Sequence, residues 1–193
     1  MKNLIKKCLL ATIILFTISC NRNSGDIDEI NNNLSIESIR EAPDGPNGEF
    51  ILIDGATSSL IRTENGITAN FKTKQLIPGN AYTLWWIVFG ETPGPPASLF
   101  AVGHVVGQGG NRDFSAHLNT SPNFKNPLTA EVHMVLRTHG AAVREIVDEQ
   151  IGGYYGGCDE SMTSPGGPGL IWPDSNQIGY CADMQVAKHP AVK

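Results

Sequence analysis

Between residues 50 and 138 the chain repeats one pattern: short runs in which apolar and polar side chains alternate one by one, separated by clusters of Gly, Pro and Asn. A two-residue period sends neighbouring side chains to opposite faces of a pleated strand, so each run hides one face and wets the other. Ile67, Ala69 and Phe71 alternate with Thr68, Asn70 and Lys72, and Phe114, Ala116 and Leu118 with Asp113, Ser115 and His117. In the run 130–138, Val132, Met134 and Leu136 lie on one face, with Glu131, His133, Val135, Arg137 and then His139 on the other. Runs at 50–53, 59–62, 99–106 and 182–188 complete the set, and 81–89 is apolar on both faces, as a central strand covered on two sides would be.

The connections carry turn chemistry. Glu64-Asn65-Gly66 is a hairpin signal, and Gly107-Gln108-Gly109-Gly110-Asn111 reads as a second hairpin connection, with no Lys-Ser/Thr to make it a phosphate loop. Only 143–151 has helical spacing, with Val143, Ile146, Val147 and Ile151 apolar and Arg144, Glu145, Asp148 and Glu149 polar. About eight strands and one short helix predict an all-β fold, an antiparallel β-sandwich of immunoglobulin-like or cupredoxin-like connectivity, occupying a single domain at 45–193.

The N-terminus fixes location more than fold. Lys2, Lys6 and Lys7 precede an apolar run over 8–18, then Thr17-Ile18-Ser19-Cys20, which reads as a lipoprotein signal peptide over 1–19 with Cys20 as the lipidated residue; an ordinary leader cut nearby and an uncleaved anchor are the alternatives. Residues 20–44, rich in Asn, Asp and Ser, are expected to be a flexible polar tether. The leader holds three of the 14 Lys and Arg and none of the 19 Asp and Glu, so the mature chain has a net charge of −8. An acidic chain without a basic run has no electrostatic footprint for nucleic acid, and lipid at Cys20 is expected to hold it on the membrane. The predicted location is the cell or outer membrane, facing the periplasm or the exterior.

Of the four cysteines, Cys8 lies in the leader and Cys20 at the lipid site, which leaves Cys158 and Cys181 to pair in an exported protein. Such a bridge would close the Gly-, Pro- and Ser-rich stretch between them and contribute about 3 kcal/mol by restricting the unfolded chain. Two ligands of a metal site are the weaker alternative, because CxxC spacing is absent.

Several motifs then stand out as a set: Tyr82-Thr83-Leu84-Trp85-Trp86, Gly103-His104-Val105-Val106-Gly107, Glu131-Val132-His133, Arg137-Thr138-His139-Gly140, Asp148-Glu149-Gln150 and Cys181-Ala182-Asp183. The set resembles a group of exported bacterial lipoproteins and secreted β-rich domains to which no activity is assigned. The resemblance implies location and a β-rich fold, and fold does not license function.

Chemistry must come from side chains. His104, His117, His133 and His139, with Glu131, are the candidate ligands of a zinc or copper ion, since imidazole is the commonest ligand of both; HxH and HExxH spacings are absent. The competing reading makes them sheet-surface residues, with Arg137 and Glu131 paired. No GxSxG elbow is present, and a hydrolase built from His139 with Asp148 or Glu149 is a further, weaker reading. Tyr154, Tyr155 and Trp172 could present an aromatic contact surface to a glycan or an envelope protein, or pack as a satellite core. Asp44 to Glu49 has calcium-type oxygens without the EF-hand alternation and reads as a tight turn. The sequence favours a lipid-anchored protein with a non-enzymatic binding or structural role and no required cofactor.

Overall fold

The computed structural model describes residues 33–43, 48–90, 95–152 and 182–193. Eight strands follow one another: β1 Leu34–Glu41, β2 Ile51–Thr63, β3 Gly66–Thr73, β4 Asn80–Phe89, β5 Ala97–Val105, β6 Arg112–Asn119, β7 Glu131–Ala141 and β8 Ala182–His189. A five-residue helix, α1 Val147–Ile151, lies between β7 and β8. All strands belong to one sheet in the order β5-β4-β7-β8-β1-β2-β3-β6, and every laddered pair is antiparallel.

The sheet curls until it nearly closes as a barrel, which brings its two edges, β5 and β6, together. Those edges are consecutive in the chain, yet β5 ladders with β4 and β6 with β3, so the connection over 106–111 spans a seam. The His104 and Phe114 rings meet across the seam with centroids 5.4 Å apart. The all-β, antiparallel expectation holds. Two separate facing sheets are replaced by one sheet rolled on itself, because alternation only demands that one face of each strand be hidden and both solutions satisfy it.

Two expected runs, 50–53 and 59–62, are the ends of the single strand β2. A bulge separates them: Ser38 pairs with Thr57 but Arg40 pairs with Leu52, and Gly55 sits at φ +67°, where residues with a Cβ are strained. Residues 34–41, placed by sequence within the tether, form β1 and ladder with both β2 and β8. Their pattern misleads because it is reversed: Leu34 and Ile36 point outward, while Ser35 lies opposite buried Leu60. The helical stretch expected over 143–151 shortens to α1, with turns before it.

The barrel interior is a packed core that includes Ile39, Leu60, Phe71, Tyr82, Leu84, Trp86, Phe114, Phe124, Val132, Met134 and Leu136. Trp86 at 1% exposure and Phe71 and Phe114 at 0% each remove a large apolar surface from water, about 2–3 kcal/mol apiece. A second cluster of Trp85, Ile87, Val135 and Val186 lies on the opposite side of β4, β7 and β8. This is why β4 reads as apolar on both faces.

Candidate functional site

The motif residues converge on that outer face. Register sets Thr83 opposite Arg137 and Arg137 opposite Asp183, and a bulge between Leu136 and Arg137 re-aims the end of β7. Thr83 and Trp85 therefore come from β4, Arg137 and His139 from β7, and Asp183 from β8.

Trp85 Nε1 donates to Thr83 Oγ1 at 2.7 Å, and the same hydroxyl lies 2.7 Å from His139 Nε2. The Thr83 oxygen accepts the indole proton and has both a second lone pair and its own hydrogen to offer His139 Nε2, so one hydroxyl joins the two rings. The Arg137 guanidinium stands 4.9 Å from the Trp85 ring centroid, and its Nε donates to Asp183 Oδ1 at 2.7 Å. The Arg137 side chain is only 4% exposed, so this cation is held in a largely dry site by a carboxylate and a π face.

Gln150 ties α1 to the site. Its Nε2 donates to the carbonyls of His139 and Ala141 at 3.3 and 3.1 Å, and its Oε1 accepts the Val143 N–H at 2.9 Å. The helix also presses on β5: a Cβ on Gly103 would stand 2.0 Å from the Ile151 carbonyl oxygen. Beside this network Phe100 packs edge-on to Trp85, centroids 5.7 Å apart, and remains 38% exposed.

A second polar cluster lies at the junction of β1, β2 and β8, and the sequence reading passed over it. His189, the fifth histidine, has no exposed surface and bridges two serines: Nδ1 lies 2.8 Å from Ser35 Oγ and Nε2 lies 2.9 Å from Ser58 Oγ. Arg62, 1% exposed, donates to Ser35 Oγ and to the carbonyls of Ala130 and Pro190. Burial, then the positive charges of Arg62 and His133, push the His189 pKa down to about 4, so the ring is neutral at pH 7. Burial also lowers the Arg62 pKa from its ordinary value. Continuing the inward parity of β8 from Gln185 through Ala187 would have placed His189 inside.

The expected metal ligands are distributed over β5, β6 and β7. His104 packs on Phe114, and burial followed by the Arg112 charge holds its pKa below the ordinary value. His117 is exposed on β6, between Thr68 Oγ1 at 2.8 Å and Asn119 Oδ1 at 3.1 Å. His133 bonds Glu131 at 2.7 Å and packs on Phe89; burial first, with the Lys188 charge, holds its pKa below the ordinary value against the opposing effect of Glu131. Among the described residues no group of three or more His, Cys, Asp or Glu side chains is arranged to hold a metal ion. The anticipated Arg137–Glu131 pair is corrected to Arg137–Asp183 and Glu131–His133, because six residues of one strand hold Glu131 and Arg137 about 20 Å apart and each pairs with a nearer group.

Asp148 and Glu149 are exposed on α1, whereas His139 is 3% exposed and engaged with Thr83. Cys20, Cys158, Cys181, Tyr154, Tyr155 and Trp172 lie outside the described residues, so the lipid site, the cysteine pairing and the expected aromatic contact surface do too. Compared with known proteins, the chain matches no family model, no curated protein and no solved structure.

Proposed function

We propose that this chain is a lipid-anchored envelope protein whose β-barrel domain has a non-enzymatic binding role. The observation that carries the reading is the position of Phe100, an exposed aromatic ring set edge-on to Trp85 above a hydrogen-bonded network. A rigid backing under a large exposed ring is what recognition surfaces use, since such a ring contributes contact area at low entropic cost. Thr83, Arg137 and Gln150 bond to other groups of the protein, which suits a scaffold better than a reacting centre. Export and attachment through Cys20, and kinship with exported bacterial lipoproteins, belong to the same proposal. A glycan or an envelope protein is the expected partner class, and Cys158–Cys181 pairing is the expected staple. The sandwich-type connectivity anticipated from sequence has no support beyond the antiparallel all-β character.

The test is a photo-crosslinking residue at Phe100 in intact cells, which should give a discrete adduct that is lost when Trp85 is replaced. Turnover of a hydrolase substrate by the purified protein, abolished in a folded His139→Asn variant, would replace this reading with an enzymatic one.

A zinc or copper protein is the second reading, and one observation favours it: Glu131 and His133 place two ligand-type side chains 2.7 Å apart. Metal analysis of untagged protein, repeated on His133→Ala and His117→Ala, decides it. Stoichiometric metal lost on substitution supports this reading, and its absence removes it.

A further inference from the structure

One sheet face carries an apolar corner that the fold does not cover. The register of β1, β2, β3 and β6 arranges outward side chains in ranks across four strands: Leu34, Ile61, Thr68 and His117 in the first, and Ile36, Ser59, Asn70 and Ser115 in the second. Leu34 and Ile61 stand directly opposite each other, and Ile36 is the next outward residue on β1, so the three form one patch. They are 39%, 47% and 64% exposed. Neither rank contains Lys, Arg, Asp or Glu; the first charges on this face, Lys72 and Asp113, lie one rank further and meet each other at 3.9 Å.

The place where the N-terminal segment joins the sheet says what covers this corner. The β1–β2 ladder runs on to a bond from the Arg62 N–H to the Asn33 carbonyl, so the chain leaves the barrel beside Leu34. Fourteen positions separate Cys20 from Leu34. A polar coil of that length would span roughly 20 Å, and a fully extended chain no more than about 50 Å. A domain of this size is roughly 40 Å across, so an anchor at Cys20 keeps the Leu34 corner nearer the lipid than most of the surface. The mature chain is acidic and has no run of Lys or Arg to draw it onto headgroups. Uncharged aliphatic side chains bordered by hydroxyls, an amide and an imidazole suit the boundary between acyl chains and headgroups.

We infer that the Leu34–Ile36–Ile61 corner docks the barrel onto the surface of the bilayer that holds its lipid. This rests on the lipid-anchor reading and adds an orientation: β1 and β2 face the membrane, and the opposite side with Phe100 faces away.

Hydroxyl-radical footprinting of the purified, natively lipidated full chain in phosphatidylcholine vesicles tests it. Labelling of Leu34, Ile36 and Ile61 should fall at least about threefold relative to the same chain without residues 1–20 in solution, with Ile77 unchanged as an exposed control. Ile36→Asp with Ile61→Asp should restore labelling at Leu34 while the protein stays anchored. Equal labelling with and without vesicles overturns the inference, as does protection that follows protein density at fixed lipid, which would mark a second copy. Intact mass of membrane-extracted protein judges the anchor separately. If Cys20 has no lipid, the footprint is taken on the chain from residue 21 held on nickel-chelating vesicles by an N-terminal hexahistidine, so loss of the anchor and loss of docking are read apart.

Discussion

Arg137 and Asp183 meet at 2.7 Å across the β7–β8 ladder, with the guanidinium also lying over the Trp85 ring. Removing one partner of such a pair is worse than removing both, because the survivor keeps its desolvation cost without its compensation. Asp183→Ala is therefore expected to lower unfolding stability by about 1–3 kcal/mol, since the Asp183 side chain is 30% exposed, and Arg137→Met with Asp183→Leu by clearly less. Urea unfolding monitored by tryptophan fluorescence checks the order. A double variant less stable than Asp183→Ala would show that the pair is not what matters at this site.

His189 makes the fold sensitive to acid. Its folded pKa of about 4 lies below the roughly 6.5 expected in an unfolded chain, so the unfolded state binds a proton first as pH falls. The stabilising contribution is complete above about pH 6.5, declines as pH drops toward about 4, and amounts to about 3 kcal/mol. Arg62 and His133 are the positive groups acting on it, both in the same direction as burial. The expected result is a melting temperature that falls between pH 6.5 and 4, with a shallower fall in His189→Gln. Identical slopes in both proteins would assign the acid response to other groups.

Much of the fold was legible because β3, β6 and the start of β7 alternate, and the Glu64–Asn65 turn between β2 and β3 carries its own chemistry. What sequence could not supply was the reversal at the start of β1, where Leu34 and Ile36 face outward while Ile39 further on enters the core, or the continuity of β2 through Gly55. Both depend on what lies on either side in the sheet, and alternation contains no information about neighbours. Closure was hidden for the same reason: β5 and β6 look like a hairpin in the chain and become the two edges of the sheet.

The site was half legible. Trp85, Arg137, His139 and Asp183 all fell in motifs singled out from the sequence, yet the Arg137 partner was misassigned: about 20 Å of strand separates it from Glu131, and the register that sets Asp183 opposite it is not carried by spacing. His189 went unnoticed because a lone histidine near the C-terminus of a chain has no pattern around it. Its role comes from two serines that are 154 and 131 positions away.

Gly103 and Gly107 make a matched pair for testing the seat of α1. A Cβ at Gly103 would meet the Ile151 carbonyl oxygen at 2.0 Å, whereas nothing lies within 4 Å of one at Gly107. Gly103→Ala must push α1 off β5 and loosen the Gln150 bonds to β7, costing about 1–3 kcal/mol. Gly107→Ala should change stability by less than about 0.5 kcal/mol. Limited proteolysis, with cleavage near α1 rising only in the first variant, reads this directly.

β1 offers the sharpest test of where the domain begins. It lies between β8 and β2, contributes buried Ile39 to the core, and supplies Ser35 to both His189 and Arg62. Without it, β2 and β8 would each expose a row of unpaired backbone groups, and two buried cationic or titratable side chains would lose a partner. Deleting residues 21–32 is expected to leave the melting temperature within a few degrees of the parent. Deleting 21–41 should abolish cooperative unfolding and produce aggregation through the opened edges. A chain lacking 21–41 that still melts cooperatively would show that the barrel closes without β1 and that the tether does extend to residue 44.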